Sequence, residues 1–482
     1  MKINIWKLLL AALVVPAAMG ACTDERNNFM VDDSVSFVDS DGTWAENKGY
    51  VSTPVYNEKY EFPVVKNGKG LSGTTVRIEA SESALDAFNE ANGTNYELLP
   101  SNCYQFTATE LRFSEKEVRK FAGLTWKMSD VTALDAYTDY VIPIQLTSSS
   151  NDVPVSEDRG LMLLHLEIAK VSMELSTDEA TTVKNGTFIY NGNVKLSTTV
   201  PTMDVEVKYA VDTDASLVDA YNKANGTSYL AAPAGFASTV AASSVIAAGE
   251  SSAAFGCQLN PDKLLENVDK LDAGVLIPVR ISAVSDGTVI TKGGDVVYIP
   301  VVNKEFRGTD AEPWAILEGE EICYANDPGR DPNAAWINGY VTSNLFNGAS
   351  TGGDSWIPWW VTPNTYPITI VADMGAAHLV SYFKIEDTTD SQGAYLDYEI
   401  YLAEEYNGDK TEWTLVASGM RDWDGIYTPP GTVGVTKVYD YPVQKMAAGR
   451  YLKFVIVKPE YAQTGDYLYG RGKLADVQGL GF

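Results

Sequence analysis

A long internal repeat constrains the fold of this 482-residue chain more than any other feature. The run Ala84-Leu85-Asp86-Ala87-Phe88-Asn89-Glu90-Ala91-Asn92-Gly93-Thr94 returns 133 residues later as Leu217-Val218-Asp219-Ala220-Tyr221-Asn222-Lys223-Ala224-Asn225-Gly226-Thr227. Tyr96 and Pro100 recur at the same offset as Tyr229 and Pro233, and Val141 to Leu146 reappears near it as Leu276 to Ile281. This period is far longer than a solenoid unit, so each copy must be a complete domain with its own core. Two such domains leave the last third of the chain for a third.

In each copy the repeated run reads as one short helix. Ser81 or Asp214 stands where an N-cap belongs, Leu85 and Phe88 or Val218 and Tyr221 have helical spacing, and Gly93 or Gly226 supplies a left-handed terminus. Thr74 to Ile78, Val205 to Tyr209, Ile142 to Leu146 and Val296 to Ile299 are expected strands. A β-sandwich with an embedded helix follows for each. Asn92-Gly93-Thr94 and Asn225-Gly226-Thr227 are also glycosylation sequons, but ending the helix explains both.

From Trp314 onward the texture changes. Trp336, Trp356, Trp359 and Trp360 crowd into 25 residues, and short strands are plain at Ile368 to Val371, Ser381 to Ile385, Tyr398 to Leu402, Trp413 to Val416 and Tyr451 to Val457. Period 2 dominates, with Gly, Pro and Asp in the turns, so a sandwich or jelly roll is expected. The whole chain is therefore mainly β.

The N-terminus carries Lys2 and Lys7, an apolar run from Leu8 to Val15, and small residues ending at Ala21-Cys22. The run is too short to span a bilayer, and small residues before a Cys match a bacterial lipoprotein signal with Cys22 as the acylated residue. Asp24 and Glu25 follow, resembling the export signal of Bacteroides-type lipoproteins displayed on the outer face of the outer membrane. The expected plan is a signal at 1–21, acylated Cys and linker at 22–40, repeats at 41–170 and 171–306, and a final domain at 310–482. Cys103, Cys257 and Cys323 show no metal or redox spacing and are expected to be small buried side chains.

Composition excludes several functions. A formal charge of −28 argues against a sequence-independent grip on nucleic acid. Only His165 and His378 exist, so His-based catalysis or a His-rich metal cage has little to work with, and both are expected to be structural. Asp422 with Asp424, or Glu320 with Glu321, are adjacent acids that do not establish two carboxylates flanking one bond. Strands alternating with long helices, as a (β/α) barrel needs, are absent from the pattern. A binder rather than an enzyme is expected.

The helix ending Asn-Gly-Thr, the following Tyr and Pro, and the later Ile-Pro strand resemble tandem domains at the N-terminus of Bacteroides surface lipoproteins, including some endo-β-N-acetylglucosaminidases. That resemblance spans roughly residues 35–305 and implies a glycan-utilisation context with spacer or interaction modules. Asn344 to Gly348, Ile368 to Gly375, Ser381 to Ile385, Trp413 to Gly419 and Gly449 to Ile456, with the ending Leu474 to Gly479, resemble the coagulation factor five/eight type C, or discoidin-like, galactose-binding-like domain. This implies an eight-stranded jelly roll whose loops at one end hold a ligand, in bacteria usually a carbohydrate. Many members hold a structural calcium between an early Asp-Gly turn and a late acid. Here Asn347 stands for the first and Asp476 for the second.

A pyranose has an apolar C–H face and a rim of hydroxyls, so an exposed aromatic plane with a few polar partners suits it. Trp356, Trp359 and Trp360 offer planes, although on a strand Trp359 and Trp360 would face opposite sides and at least one would join the core. Asn344, Asn347, Asp354 and Ser355 are near in sequence as polar partners. A second loop offers Trp423 or Tyr427 for stacking and Arg421 with Asp422 for hydroxyls, or else a turn with a half-buried Trp. Trp413 is expected in the core. The reading is a lipid-anchored surface protein that captures oligosaccharide for a neighbouring TonB-dependent transporter with a SusD-like lid. The competing class is an adhesion lipoprotein of the same architecture with a protein ligand.

Overall fold

The computed structural model describes residues 34–38, 49–68, 72–148, 150–151, 153–176, 181–285, 287–309, 311–322, 341–348, 367–388, 395–420, 436–459, 461–464, 467–470 and 474–481. Strands dominate throughout. The first module packs two sheets. One has the strand order Ser34–Phe37, Lys59–Asn67, Arg119–Trp126, Tyr104–Phe106; the other has Tyr50–Pro54, Leu161–Glu167, Tyr140–Ser148, Thr74–Ala80, Glu110–Phe113. Phe37, Phe62, Val64, Leu124, Ile142, Ile144 and Leu164 point into the space between them and are buried. Strand Ser34–Phe37 pairs with Lys59–Asn67, so the module starts ahead of the expected residue 41.

The second module repeats the plan, with Ser252–Leu259, Thr187–Leu196 and Lys170–Leu175 in one sheet and Val275–Val284, Val205–Val211 and Val296–Val301 in the other. The repeated helices run Glu82–Asn92 and Ala215–Asn225. Ser81 Oγ accepts from the Ala84 N–H and Asp214 from the Ser216 N–H, while Gly93 and Gly226 close the helices at φ 66° and 67°.

The Asn residue four positions before each closing glycine explains why the motif recurs. Asn89 Oδ1 accepts from Thr94 Oγ1 at 2.8 Å and from the Tyr96 N–H at 3.1 Å, and its Nδ2 donates to the Tyr96 carbonyl at 2.9 Å. Asn222 makes the same three bonds to Thr227 and Tyr229. One side chain thus folds the turn back onto the helix, and the sequon threonine serves in that clip. Each module also has a five-residue helix that the sequence reading missed, Met128–Thr132 and Pro261–Leu265, again 133 residues apart. Asn260 caps the second through its side chain ahead of Pro261, whereas Lys127 gives the first no side-chain cap, so the signal is present in one copy only.

The two modules are joined through Tyr56, which is 2% exposed. Its hydroxyl donates to the Gly287 carbonyl at 2.9 Å and accepts from the Ala169 N–H at 2.8 Å. Beside it, the Tyr137 hydroxyl donates to the Ile290 carbonyl and accepts from the Lys292 N–H, while Lys170 Nζ lies 4.6 Å over the Tyr137 ring. Bonds to backbone from both sides, with a buried ring between, tie the two modules together.

The third module is built on one strand, Ile368–Thr388, which joins two sheets by bending at an irregularity between Asp373 and His378. The sequence suggested two separate strands here, Ile368 to Val371 and Ser381 to Ile385; the backbone instead runs through as one strand. Its first part pairs with Ala448–Pro459, which pairs with Tyr395–Ala403 and then Thr414–Met420. Its second part pairs with Thr436–Pro442 and Leu474–Gly481. Ile370, Phe454 and Ile400 sit in register and are fully buried, as are Ala372, Leu452 and Leu402 one step on. Phe383, Ile385 and Val477 join them from the other sheet. Strand Lys304–Phe306 pairs with Leu474–Gly481, so it belongs to this module rather than to the second repeat, in which the sequence reading placed it.

Candidate functional site

Sheet register fixes where the two tryptophan-bearing stretches attach. Ile368, which follows 351–366, pairs with Ile456; Ile456 pairs with Tyr398; Tyr398 pairs with Gly419, which precedes 421–435. All four lie in one row across the end of the sheet. The opposite end carries Leu379 with Ala448 and Leu402 with Thr414, and it faces the second module, where the Gly186 N–H donates to Glu404 Oε1. The stretch 349–366 thus rejoins the sheet, and 421–435 leaves it, at the end away from the repeats, while Gly348, from which 349–366 departs, lies against Arg307 and Gly308.

Asp354, Ser355, Trp356, Trp359, Trp360, Arg421, Asp422, Trp423 and Tyr427 lie outside the described residues, as do Cys22 and Cys323. Asn344 is in the 3-10 helix Thr342–Phe346 and is 8% exposed, so its side chain faces inward with Leu345 and Phe346 instead of standing on an open platform. Asn347 is half-buried at the end of that helix. The backbone of Asp476 pairs with Glu386 in strand Leu474–Gly481, which packs against the same 3-10 helix. Among the described residues no group of three or more His, Cys, Asp or Glu is placed to hold a metal ion, and no described helix is long and apolar enough to cross a membrane.

Trp413 differs from expectation. It is half-buried, not core, and stands just before strand Thr414–Met420 on the outward side. Period 2 puts it on the face of Leu415, which is 41% exposed, and Leu415 pairs with Tyr401, which pairs with Lys453. Lys453 Nζ lies 4.1 Å from the Tyr401 ring centroid and 4.9 Å from that of Trp413. The Tyr401 hydroxyl donates to Glu399 Oε2 at 2.6 Å, and that bond with partial burial pushes its pKa up to about 12. Burial holds the Lys453 ammonium below its ordinary value. The sequence showed a Trp at a strand start; which side it took depended on the neighbouring Tyr and Lys.

Both histidines pack against aromatic rings. His378 stacks on Phe306 at 4.0 Å and 3°, and Phe306 packs against Trp314, which stacks on Phe346. His165 shares a hydrogen bond of 3.1 Å with Ser52 Oγ and stacks on Tyr50. Burial depresses the pKa of both; Asp139 and Glu167 oppose it at His165. A buried imidazole that is harder to protonate folded than unfolded costs nothing above pH 6.5, but below it the unfolded chain takes up protons first. Stability should therefore fall as pH drops through 6.5, and His378→Phe should flatten part of that fall in thermal melts between pH 7.5 and 5. An unchanged pH profile would contradict the buried neutral ring. The Cys103 and Cys257 thiols are buried, and burial pushes that of Cys257 up to about 12, so neither is a nucleophile at neutral pH.

A family model described as a "-like, N-terminal domain" matches residues 32–153 and again 166–288, just over half of the chain. The chain belongs to that family. The two matches coincide with the two repeated modules. No curated protein matches the chain. Among solved structures, a SusE-like protein is 14% identical, covering 64% of this chain and 96% of its own, with a TM-score of 0.29. The C-terminal domain of a chitobiase from Bacteroides fragilis is 16% identical, covering 37% and 98%, with a TM-score of 0.26. The family 32 carbohydrate-binding module of C. perfringens NanJ, solved with galactose, is 16% identical, covering 37% and 99%, with a TM-score of 0.23. The fold described above is carried by the chain's own strand order and register.

Proposed function

We propose that this chain is a noncovalent glycan-binding protein of the bacterial cell surface. Its two N-terminal family modules act as a stiff stalk, and the C-terminal sandwich presents an oligosaccharide site at its far end. The observation that supports this reading is the row of Ile368, Ile456, Tyr398 and Gly419, where the chain returns from 349–366 and departs into 421–435 at the end opposite the stalk. The aromatic planes of Trp356, Trp359, Trp360, Trp423 and Tyr427 suit the C–H faces of sugar rings, with Arg421, Asp422 and Asp354 as hydroxyl partners. Acylation at Cys22 would hold the chain on the outer face of the outer membrane, beside a TonB-dependent transporter with a SusD-like lid that receives the captured oligosaccharide. One shallow site gives a dissociation constant of about 1 mM, or about −4 kcal/mol, so dense display on the membrane supplies the avidity.

The full-length chain without its lipid should retain at least one class of oligosaccharide on a glycan array. Binding confined to proteins from the same membrane, with every glycan silent, would replace this reading with adhesion. The same proposal puts a structural calcium between Asn347 and Asp476, because the 3-10 helix that Asn347 follows packs against the strand whose backbone includes Asp476. At calcium about 100 times its dissociation constant, the melting temperature of the third module should exceed that in EDTA by roughly 5–10 °C. Coincident melts would remove the metal from the account.

A further inference from the structure

A concave site lies at the end of the sandwich that faces the second module. A cleft of about 1000 Å³ opens between the second and third modules, with Asn185 and Asp262 on one wall and Trp413, Glu404, Asn407 and Lys410 on the other. Its volume is at the upper end of the range for small-ligand pockets and suits several sugar rings better than one. Trp413 brings an aromatic surface to this cleft, and the ring is held rather than free. Lys453 packs on it from the sheet, Tyr401 backs Lys453, and Glu399 anchors Tyr401. A ring fixed in this way stacks a ligand with little further loss of side-chain freedom.

We infer that the cleft between the second and third modules binds a neutral oligosaccharide segment, with Trp413 as its stacking surface and Asn185, Asn407 and Lys410 as polar partners. This rests on the glycan-binding reading but uses a separate place, the junction of the second and third modules. The charge of the lining selects the ligand. Asp262, Glu404, Glu405 and Glu412 outnumber Lys410 and Lys445, so a carboxylated or sulfated sugar meets net repulsion and a neutral one does not. Because the walls come from two modules, occupancy also adds contacts across the junction that the Gly186 to Glu404 bond already spans.

Full-length protein labelled with 5-fluorotryptophan gives one fluorine resonance per tryptophan, and that of Trp413 is assigned by its disappearance in Trp413→Phe. Cellohexaose, maltohexaose, mannohexaose and xylohexaose serve as neutral probes, and trigalacturonate as the anionic one. At least one neutral hexaose should move the Trp413 resonance saturably, trigalacturonate should not, and Trp413→Ala should weaken that titration at least tenfold. The wild-type titration stands by itself if Trp413→Ala misfolds. Movement of the other tryptophans with Trp413 unmoved overturns the cleft site and leaves the end site intact. Movement of Trp413 alone supports the cleft and removes the end site. Silence of every resonance with all five probes overturns both, and an equal response to trigalacturonate overturns the selection for neutral sugars.

Discussion

Replacing Tyr56 with alanine should lower the stability of the N-terminal pair of modules by about 3–5 kcal/mol, the cost of deleting a large buried ring that the surroundings cannot close over. The ring is 2% exposed and lies where both modules meet, so the cavity would open at the joint itself. Tyr56→Phe separates the two contributions. It keeps the ring but leaves the Ala169 N–H and the Gly287 carbonyl without the hydroxyl, at a cost of about 1–3 kcal/mol. Denaturant unfolding followed by tryptophan fluorescence checks both, and proteolysis near residue 169 should quicken in the alanine variant. An unchanged midpoint for Tyr56→Ala would mean the modules do not depend on this joint, and the stalk would then be two beads on a flexible link.

Cutting the third module at residue 310, where its change of composition suggests, should leave it less stable than a fragment beginning at 303. The shorter piece loses strand Lys304–Phe306, which pairs with Leu474–Gly481. It also loses the Phe306 ring, which fills the space over Gly479, where any Cβ would collide with it, and stacks on His378. Burial of one aromatic side chain with its strand pairing is worth about 3 kcal/mol. Thermal melts of the two fragments make the comparison; equal melting temperatures would show that the Lys304 strand is an ornament of the linker.

How legible the molecule was in its sequence varied with the range of the interactions. Helix ends at Ser81, Gly93, Asp214 and Gly226 depend on residues a turn away, and all four stand where the local rules put them. The two five-residue helices are too short for a period, and only Asn260-Pro261 announced one of them. The module boundary at Lys304 was hidden because its partner strand lies about 170 residues downstream. Trp413 was misjudged because a strand end alone does not say which face a ring will take; Tyr401 and Lys453 on neighbouring strands decide that. For the tryptophan-rich stretches, the sequence named the aromatics, and the register adds where 349–366 rejoins and 421–435 leaves the sheet. Asn344 shows the reverse case, a polar residue named from proximity in sequence whose side chain turns into the core.

The proposed function stands on sugar stacking against at least one of Trp356, Trp359, Trp360 and Trp423. Its most direct test is calorimetric titration of the full-length chain with the oligosaccharide it retains best on an array, repeated with each of these four tryptophans changed to alanine. The account predicts saturable binding that at least one folded variant loses by tenfold or more, as expected when a stacking plane worth more than about 1.4 kcal/mol is removed. Saturable binding that all four folded variants keep at wild-type strength would contradict it.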